Sequence, residues 1–240
     1  MRRFFAEKID LECSSVLLNG DEARHIGTVL RMKTGDEVLL INGEGAQAKA
    51  RIGRMTGESV ELTILERGSS EADPDVHVTL FQCLPKQGKM ELIIQKCVEL
   101  GVWQVVPVSS KRCVIKLEGK ENRIIRWNKV SAEASKQCGR AYVPKVTAPI
   151  SLSNAHLGGF DLVLIAYENE DDTTLRAVLK AHSGVKNIAL IIGPEGGFEP
   201  AEVGSCIEAG AIPVSLGKRI LRTETAGMAA LAQIMYELEQ

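Results

Sequence analysis

The amino-acid sequence predicts an α/β protein, a small N-terminal β-barrel followed by a larger C-terminal domain with a parallel sheet. Three observations carry this expectation. In the first 70 residues, short apolar runs are separated by Gly, Asp and Asn, which mark turns. Beyond residue 76, apolar runs alternate with helical periodicities of about 10–15 residues, the pattern of strands joined by crossover helices. Between the two lies Gly68-Ser69-Ser70-Glu71-Ala72-Asp73-Pro74-Asp75, polar and rich in breakers, which sets a boundary. The expected domains are residues 1–70 and 76–240.

In the N-terminal part, strands are expected at 2–7, 37–42, 47–53 and 59–66. Val60, Leu62 and Ile64 alternate with Glu61, Thr63 and Leu65, as a strand with one buried face requires. One helix interrupts these strands: Asn19-Gly20-Asp21 offers a cap, and Ile26, Val29 and Leu30 form an apolar stripe. Small barrels of this kind often present nucleic acid, although architecture alone does not decide function. The C-terminal part reads as a strand at 76–84, then a helix at 89–100 with Met90, Ile93, Ile94, Cys97 and Leu100 at helical spacing and Gly101 closing it. A strand at 102–108 and a helix at 122–138 follow. Next come a strand at 162–166, a helix at 173–182, a strand at 188–192, a helix at 200–209, a strand at 212–216 and a helix from Thr223 to the end.

Composition excludes several classes. With 45% hydrophobic and 25% charged residues over 240 positions, the chain is an ordinary globular protein. No run of about 18 apolar residues is long enough for a bilayer. Glu7 and Asp10 interrupt the N-terminus before a signal-peptide core can form, so a cytoplasmic protein is expected. The six cysteines are scattered, none in a C-x-x-C spacing and none beside clustered histidines. They read as small core hydrophobes, and no metal site is expected. The net charge of −2 conceals an asymmetry. Residues 85–150 hold 13 Lys and Arg against 5 Asp and Glu, whereas residues 151–210 hold 3 against 9. A basic middle suits a polyanionic partner, and it equally suits two well-solvated helices.

Two loops stand out as chemistry-bearing. Gly193-Pro194-Glu195-Gly196-Gly197 follows a buried strand and precedes a helix, the place where parallel sheets bind ligands. Glycine lets backbone amides approach a ligand closely. The loop matches neither the G-x-G-x-x-G fingerprint nor the P-loop, so a dinucleotide-dependent oxidoreductase is disfavoured; alone, it reads also as a turn that merely needs glycine. The second loop, Leu216-Gly217-Lys218-Arg219-Ile220-Leu221-Arg222-Thr223-Glu224-Thr225-Ala226, joins the last strand to the last helix. Thr223 is placed to cap that helix, and Ala226, Ala229 and Ala230 give it a small-residue face. Ile220 and Leu221 sit among charges with no evident core to fill, and backbone groups with a few apolar side chains are what an adenine pocket requires.

Together these loops resemble the SPOUT superfamily, and more narrowly its RsmE-type members, bacterial methyltransferases of uridine N3 in small-subunit (16S) ribosomal RNA. Other segments agree: residues 89–102, Glu133 to Gln137 with Arg140, Val143-Pro144, the N-terminal Arg2-Arg3-Phe4-Phe5, and His25 followed by Val29-Leu30-Arg31. The resemblance covers essentially the whole chain. Cys97 and Cys138 stand where small residues such as Ala or Ser are expected. The resemblance implies a PUA-like β-barrel ahead of a SPOUT α/β domain ending in a trefoil knot, which periodicity could not have suggested. It implies S-adenosyl-L-methionine as cofactor, a homodimer, and 16S rRNA or the assembled small ribosomal subunit as partner. Carried over, the cofactor loops are Ala166, Tyr167 and Glu168; Gly193 through Gly197; and Leu216, Gly217, Ile220, Leu221, Arg222, Thr223, Thr225 and Ala226.

Uridine N3 carries a proton and is a poor nucleophile until it leaves, so the protein must accept that proton or stabilise the resulting anion. A guanidinium suits the second task. Arg140 and Arg112 are the candidates, with phosphate binding as the alternative role for each; Glu133 or Glu224 could serve as base. Candidate RNA contacts are Arg2, Arg3, His25, Arg31, Lys89, Lys129 and Lys136. His25 reads as structural or RNA-contacting rather than catalytic, His182 is a second histidine to consider, and Trp103 and Trp127 read as core anchors more readily than base-stacking platforms. Two rivals remain open: a 2′-O-ribose methyltransferase of the same superfamily, and a non-catalytic RNA-binding protein.

Overall fold

The computed structural model describes residues 1–6, 13–86, 88–114 and 121–239. Glu7, at the end of the first expected strand, and Gln240, at the end of the last expected helix, lie outside them. The chain divides into two units, Met1–Asp73 with Ser135–Val143, and Pro74–Ala134 with Pro144–Gln240.

In the first unit, period-two patterning produces strands β1 (Arg3–Phe5), β2 (Ser15–Asn19), β3 (Glu37–Ile41), β4 (Ala46–Met55) and β5 (Ser59–Ser69). Val60 and Leu62 are fully buried while Glu61 and Thr63 are exposed, so the expected face is the inner one. The sheet order is β1-β3-β4-β5-β2, antiparallel apart from β1 with β3. β1 and β2 form its edges, and no ladder joins them among the described residues. The unit is therefore a half-barrel, not the closed barrel expected. A three-residue β1 supplies too few backbone groups to seal the seam. β2 went unread because its Ser-Val-Leu-Leu-Asn carries no clean alternation.

The expected helix exists but is short. α1 (Gly20–Arg24) passes into a π-helical turn at His25–Val29, closed by the Leu30 N–H donating to the His25 carbonyl at 2.9 Å. The wider turn rotates Val29 off the stripe: Ile26 is buried, whereas Val29 is 66% exposed. Asn19 makes no side-chain cap bond. Residues 135–143 join this unit through Asp73. Its carboxylate accepts from Arg140 Nε at 3.1 Å and from the N–H groups of Ala141 (3.1 Å) and Tyr142 (3.0 Å).

The second unit alternates strand and helix: β6 (His77–Cys83), α2 (Lys89–Glu99), β7 (Gln104–Ser109), α3 (Glu121–Cys138), β8 (Lys145–Val146), β9 (Ile150–Ser151), β10 (Leu162–Ala166), α4 (Leu175–Ala181), β11 (Asn187–Ile192), α5 (Pro200–Glu208), β12 (Ile212–Val214) and α6 (Thr223–Leu238). The last turn of α3 belongs to the first unit. The sheet is parallel throughout, ordered β12-β10-β11-β6-β7-β8, with β9 also on β7. β6, β10 and β11 are buried almost end to end, as strands covered on both faces must be. α4 begins two residues later than expected because Thr174 caps it, its Oγ1 accepting from the Ala177 N–H at 3.3 Å. Along α6, Ala226, Gly227, Ala230, Leu231, Ile234 and Met235 face inward, and the helix packs on α2 and α4.

Candidate active site

Three neighbouring parallel strands end on one edge of the sheet. In register, Ile165 of β10 lies beside Ile191 of β11, and Ala166 lies beside Val214 of β12. The loops that follow, beginning at Ala166, Gly193 and Ser215, therefore start side by side. All three loops read from the sequence as cofactor-binding come from this edge.

The loops are tied together by specific bonds. Thr223 Oγ1 donates to the Gly193 carbonyl at 2.6 Å and accepts from Gln82 Nε2 at 2.9 Å. Thr223 therefore does not cap α6 as expected, because its hydroxyl is committed to the neighbouring loop. Lys89 Nζ lies 3.5 Å from Glu195 Oε1 and 3.1 Å from Glu224 Oε1, so one ammonium clamps both loops. The Lys86 N–H also donates to Glu195 Oε1, at 2.9 Å. On the other side, the Tyr167 N–H donates to the Val214 carbonyl at 3.2 Å. The glycine loop closes through the Gly197 N–H on the Pro194 carbonyl at 3.0 Å, with Gly197 at φ +67. Arg112 is exposed and donates from Nη1 to the Gly196 carbonyl at 3.0 Å.

Both clamped carboxyls sit below their ordinary range. For Glu195, burial acts upward, and the Lys86 N–H, its own backbone N–H and the Lys89 charge outweigh it. For Glu224, burial again acts upward against its own backbone N–H in the first turn of α6, Lys89 and Arg222. At neutral pH both are carboxylates, so Glu224 is a structural anion and a poor proton acceptor. Nearby, the Cys113 thiol is lowered to about 6, chiefly by its hydrogen bond with Cys83 and despite burial, with help from Ser110. The Cys83 thiol is pushed up correspondingly. Cys83, Cys97, Cys113 and Cys206 are thiols. Among the described residues no group of three His, Cys, Asp or Glu side chains is placed to hold a metal ion.

A family model described as RNA methyltransferase domain matches residues 72–235, and one described as RNA methyltransferase PUA domain matches residues 18–65. The chain is 32% identical to Ribosomal RNA small subunit methyltransferase E of Bacillus subtilis (strain 168), across 100% of this chain and 98% of that protein. The protein of the same name from Synechocystis is 34% identical, across 94% and 74% of the two chains. A crystal structure of Ribosomal RNA small subunit methyltransferase E from Neisseria gonorrhoeae bound to S-adenosyl methionine superposes with a TM-score of 0.87. It is 31% identical and covers 98% of this chain and 97% of its own. The chain belongs to the ribosomal RNA small subunit methyltransferase E family.

In this family member the sequence-derived site residues separate into distinct environments. Arg112 lies against the glycine loop. Arg140 lies in the first unit, 1% exposed, with its guanidinium held by Asp73. Such a buried pair organises the chain around it, and breaking it strands a charge. Glu133 is exposed on α3. Ile220 is 88% exposed, so it fills no apolar pocket within this chain, and Leu216 and Leu221 are half-buried. Gly217 adopts φ +113 in an exposed turn; Arg222 and Thr225 are exposed, and Ala226 is buried.

Of the candidate RNA contacts, Arg2, His25, Arg31 and Lys129 are exposed. Lys136 is instead bound to Glu22 and lies over the Phe5 ring; Lys89 is the loop clamp. Arg3 is half-buried and packs against Gly139, and the His25 ring sits edge-on to Phe4. Trp103 stacks on His77 and Trp127 is buried, both structural. His182 Nδ1 bonds the Val178 carbonyl of its own helix at 2.8 Å. Sequence reasoning missed Gln82, Lys86 and Asp73. Gln82 carried a readable signal, an amide inside an otherwise apolar strand.

Proposed function

We infer that the protein transfers a methyl group from S-adenosylmethionine to N3 of a uridine in small-subunit ribosomal RNA. The observation that carries this is the joining of the two loops at Thr223 and Gly193, on the sheet edge that also starts the 166–168 loop. The Neisseria relative was crystallised with S-adenosyl methionine, and the curated relatives are named for small-subunit ribosomal RNA. The site residues fit such a cofactor. Backbone groups of three loops lie together, and Gly197 has no Cβ to crowd Glu168. Lys89, which joins two of these loops, is neutralised by two carboxylates, so its charge does not repel a sulfonium.

When bound, the cofactor supplies an activated methyl on a sulfonium. Residues 166–168, 193–197 and 216–226 would hold and orient it, which is the larger part of the catalytic task. Arg112, with its guanidinium beside Gly196, would donate to the O4 or O2 edge of uridine as the N3 proton leaves. Glu133 remains the candidate proton acceptor. N3 lies on the pairing edge, so the target uridine must be unpaired or flipped out.

The same reading includes domains 1–70 and 76–240, a trefoil knot in the second domain, a homodimer and a cytoplasmic location. It is supported by the family membership; no described helix is long and apolar enough to cross a membrane. The test is nucleoside analysis of 16S rRNA from cells lacking the protein. Loss of 3-methyluridine, restored by the wild-type gene and not by Arg112→Ala, is expected. Loss of a 2′-O-methyl nucleoside instead would assign the ribose acceptor. No change in any methylated nucleoside would leave only an RNA-binding role.

A further inference from the structure

We propose that Gln82 is a positioning residue, which sets the cofactor loops through Thr223; the proposal rests on the reading above and deepens it. Gln82 is 0% exposed in β6, and Thr223 is 4% exposed at the start of α6. The directions of their bonds are fixed by elimination. The Gly193 carbonyl can only accept, so the single Thr223 hydroxyl proton goes to it at 2.6 Å. The hydroxyl oxygen must then accept from Gln82, which turns the amide nitrogen toward Thr223 at 2.9 Å. The same Nε2 donates to the Cys83 carbonyl at 3.1 Å, which pins the amide plane to the strand's own backbone. The central strand thereby sets the rotamer of Thr223, and Thr223 sets the first carbonyl of the glycine loop.

The other half of the amide argues for position over stability. Gln82 Oε1 is buried with no hydrogen-bond partner among the described residues, and it faces Gly227, where a methyl would lie 3.1 Å away. A buried acceptor left unpaired is unfavourable, and an apolar side chain of the same shape avoids that penalty. A residue present only to fill the core would therefore serve better as Met. The amide is explained by what its nitrogen does to Thr223.

The experiment titrates S-adenosylmethionine calorimetrically into the full-length protein and its variants, and records melting temperatures alongside. Gln82→Met is expected to melt at or above the wild-type temperature while binding S-adenosylmethionine about tenfold more weakly, the size of one hydrogen bond. Thr223→Val should weaken binding similarly, and Thr223→Ser, which keeps the hydroxyl, should restore most of it. The double variant Gln82→Met/Thr223→Val should bind no worse than the weaker single variant, because both break one chain of bonds. Wild-type affinity in Gln82→Met overturns the proposal. So does a fall in melting temperature that accounts for the binding loss, or additivity in the double variant. If the wild-type protein itself gives no binding heat, the functional reading fails and takes this proposal with it, an outcome distinct from the other three.

Discussion

Replacing Gly197 with Ala tests the glycine loop by separating backbone strain from a clash. Gly197 sits at φ +67, where a Cβ costs about 1–2 kcal/mol. The new methyl would also overlap Glu168 Oε1 and come within 2.9 Å of its Cδ. That carboxyl ends a flexible, exposed side chain, so it can swing aside at a rotamer cost of about 0.5–1.5 kcal/mol. The sum is about 1.5–3.5 kcal/mol, which lowers the melting temperature of a chain this long by roughly 3–14 °C. The assay is thermal melting of Gly197→Ala, Glu168→Ala and the double variant. Removing Glu168 removes the clash and leaves the strain, so the two changes should couple by about 0.5–1.5 kcal/mol. Gly196→Ala is the control: its φ is not left-handed and the nearest atom to its methyl would be Arg112 Cβ at 3.4 Å, an ordinary contact, so it should move the melt by less than about 2 °C. Strict additivity of Gly197→Ala and Glu168→Ala would refute the contact. Equal losses at 196 and 197 would refute the strain.

Three further outcomes follow from the same geometry. Lys89→Met leaves Glu195 and Glu224 facing each other and should cost about 1–2 kcal/mol at neutral pH. Because both carboxyls are lowered in the fold, the clamp contributes fully above the ordinary carboxylate range and is lost as pH falls through the lowered values; a wild-type-to-variant melting difference that persisted in acid would contradict it. Cys113 should be alkylated by iodoacetamide with a midpoint at about pH 6, and Cys83→Ala should raise that midpoint by removing the main hydrogen bond; an unchanged midpoint in the variant would dismiss the thiol pair. Arg123→Glu with Lys129→Glu should weaken RNA binding and flatten its logarithmic salt dependence by about 1.4, at about 0.7 per single-strand phosphate contact; an unchanged slope would remove α3 from the RNA surface.

The parallel sheet was legible because buried strands write themselves as continuous apolar runs. β10 matches its expected bounds, and β6 and β11 lie within a residue of theirs. That the candidate loops leave one edge was legible because glycine and the strand-to-helix junction mark it. What stayed hidden depends on partners distant in sequence. Asp73 read as a linker residue because nothing local reveals that it receives Arg140, 67 positions away. Gln82 is 141 positions from Thr223. The π-helical turn at His25–Val29 defeated a stripe that assumed 3.6 residues per turn.

Charge shows the same division most clearly. The sequence shows 13 cations between residues 85 and 150, which suit a polyanion-binding surface and two solvated helices equally. In the fold, Lys89, Lys96, Lys111, Arg126, Lys136 and Arg140 are each committed to a carboxylate, and Arg112 reaches a loop carbonyl. Among the described residues of that segment, the exposed cations with no ion pair are Lys86, Arg112, Arg123, Lys129 and Lys145. Of these, the four that reach no loop carbonyl, Lys86, Arg123, Lys129 and Lys145, would contribute about −3 to the salt slope, at about 0.7 each. Much of the basic bias is therefore internal wiring: it joins loop to loop through Lys89 and fastens residues 135–143 through Arg140. A charge count measures the material for a nucleic-acid surface, and only the pairing in the fold determines how much of it remains for RNA.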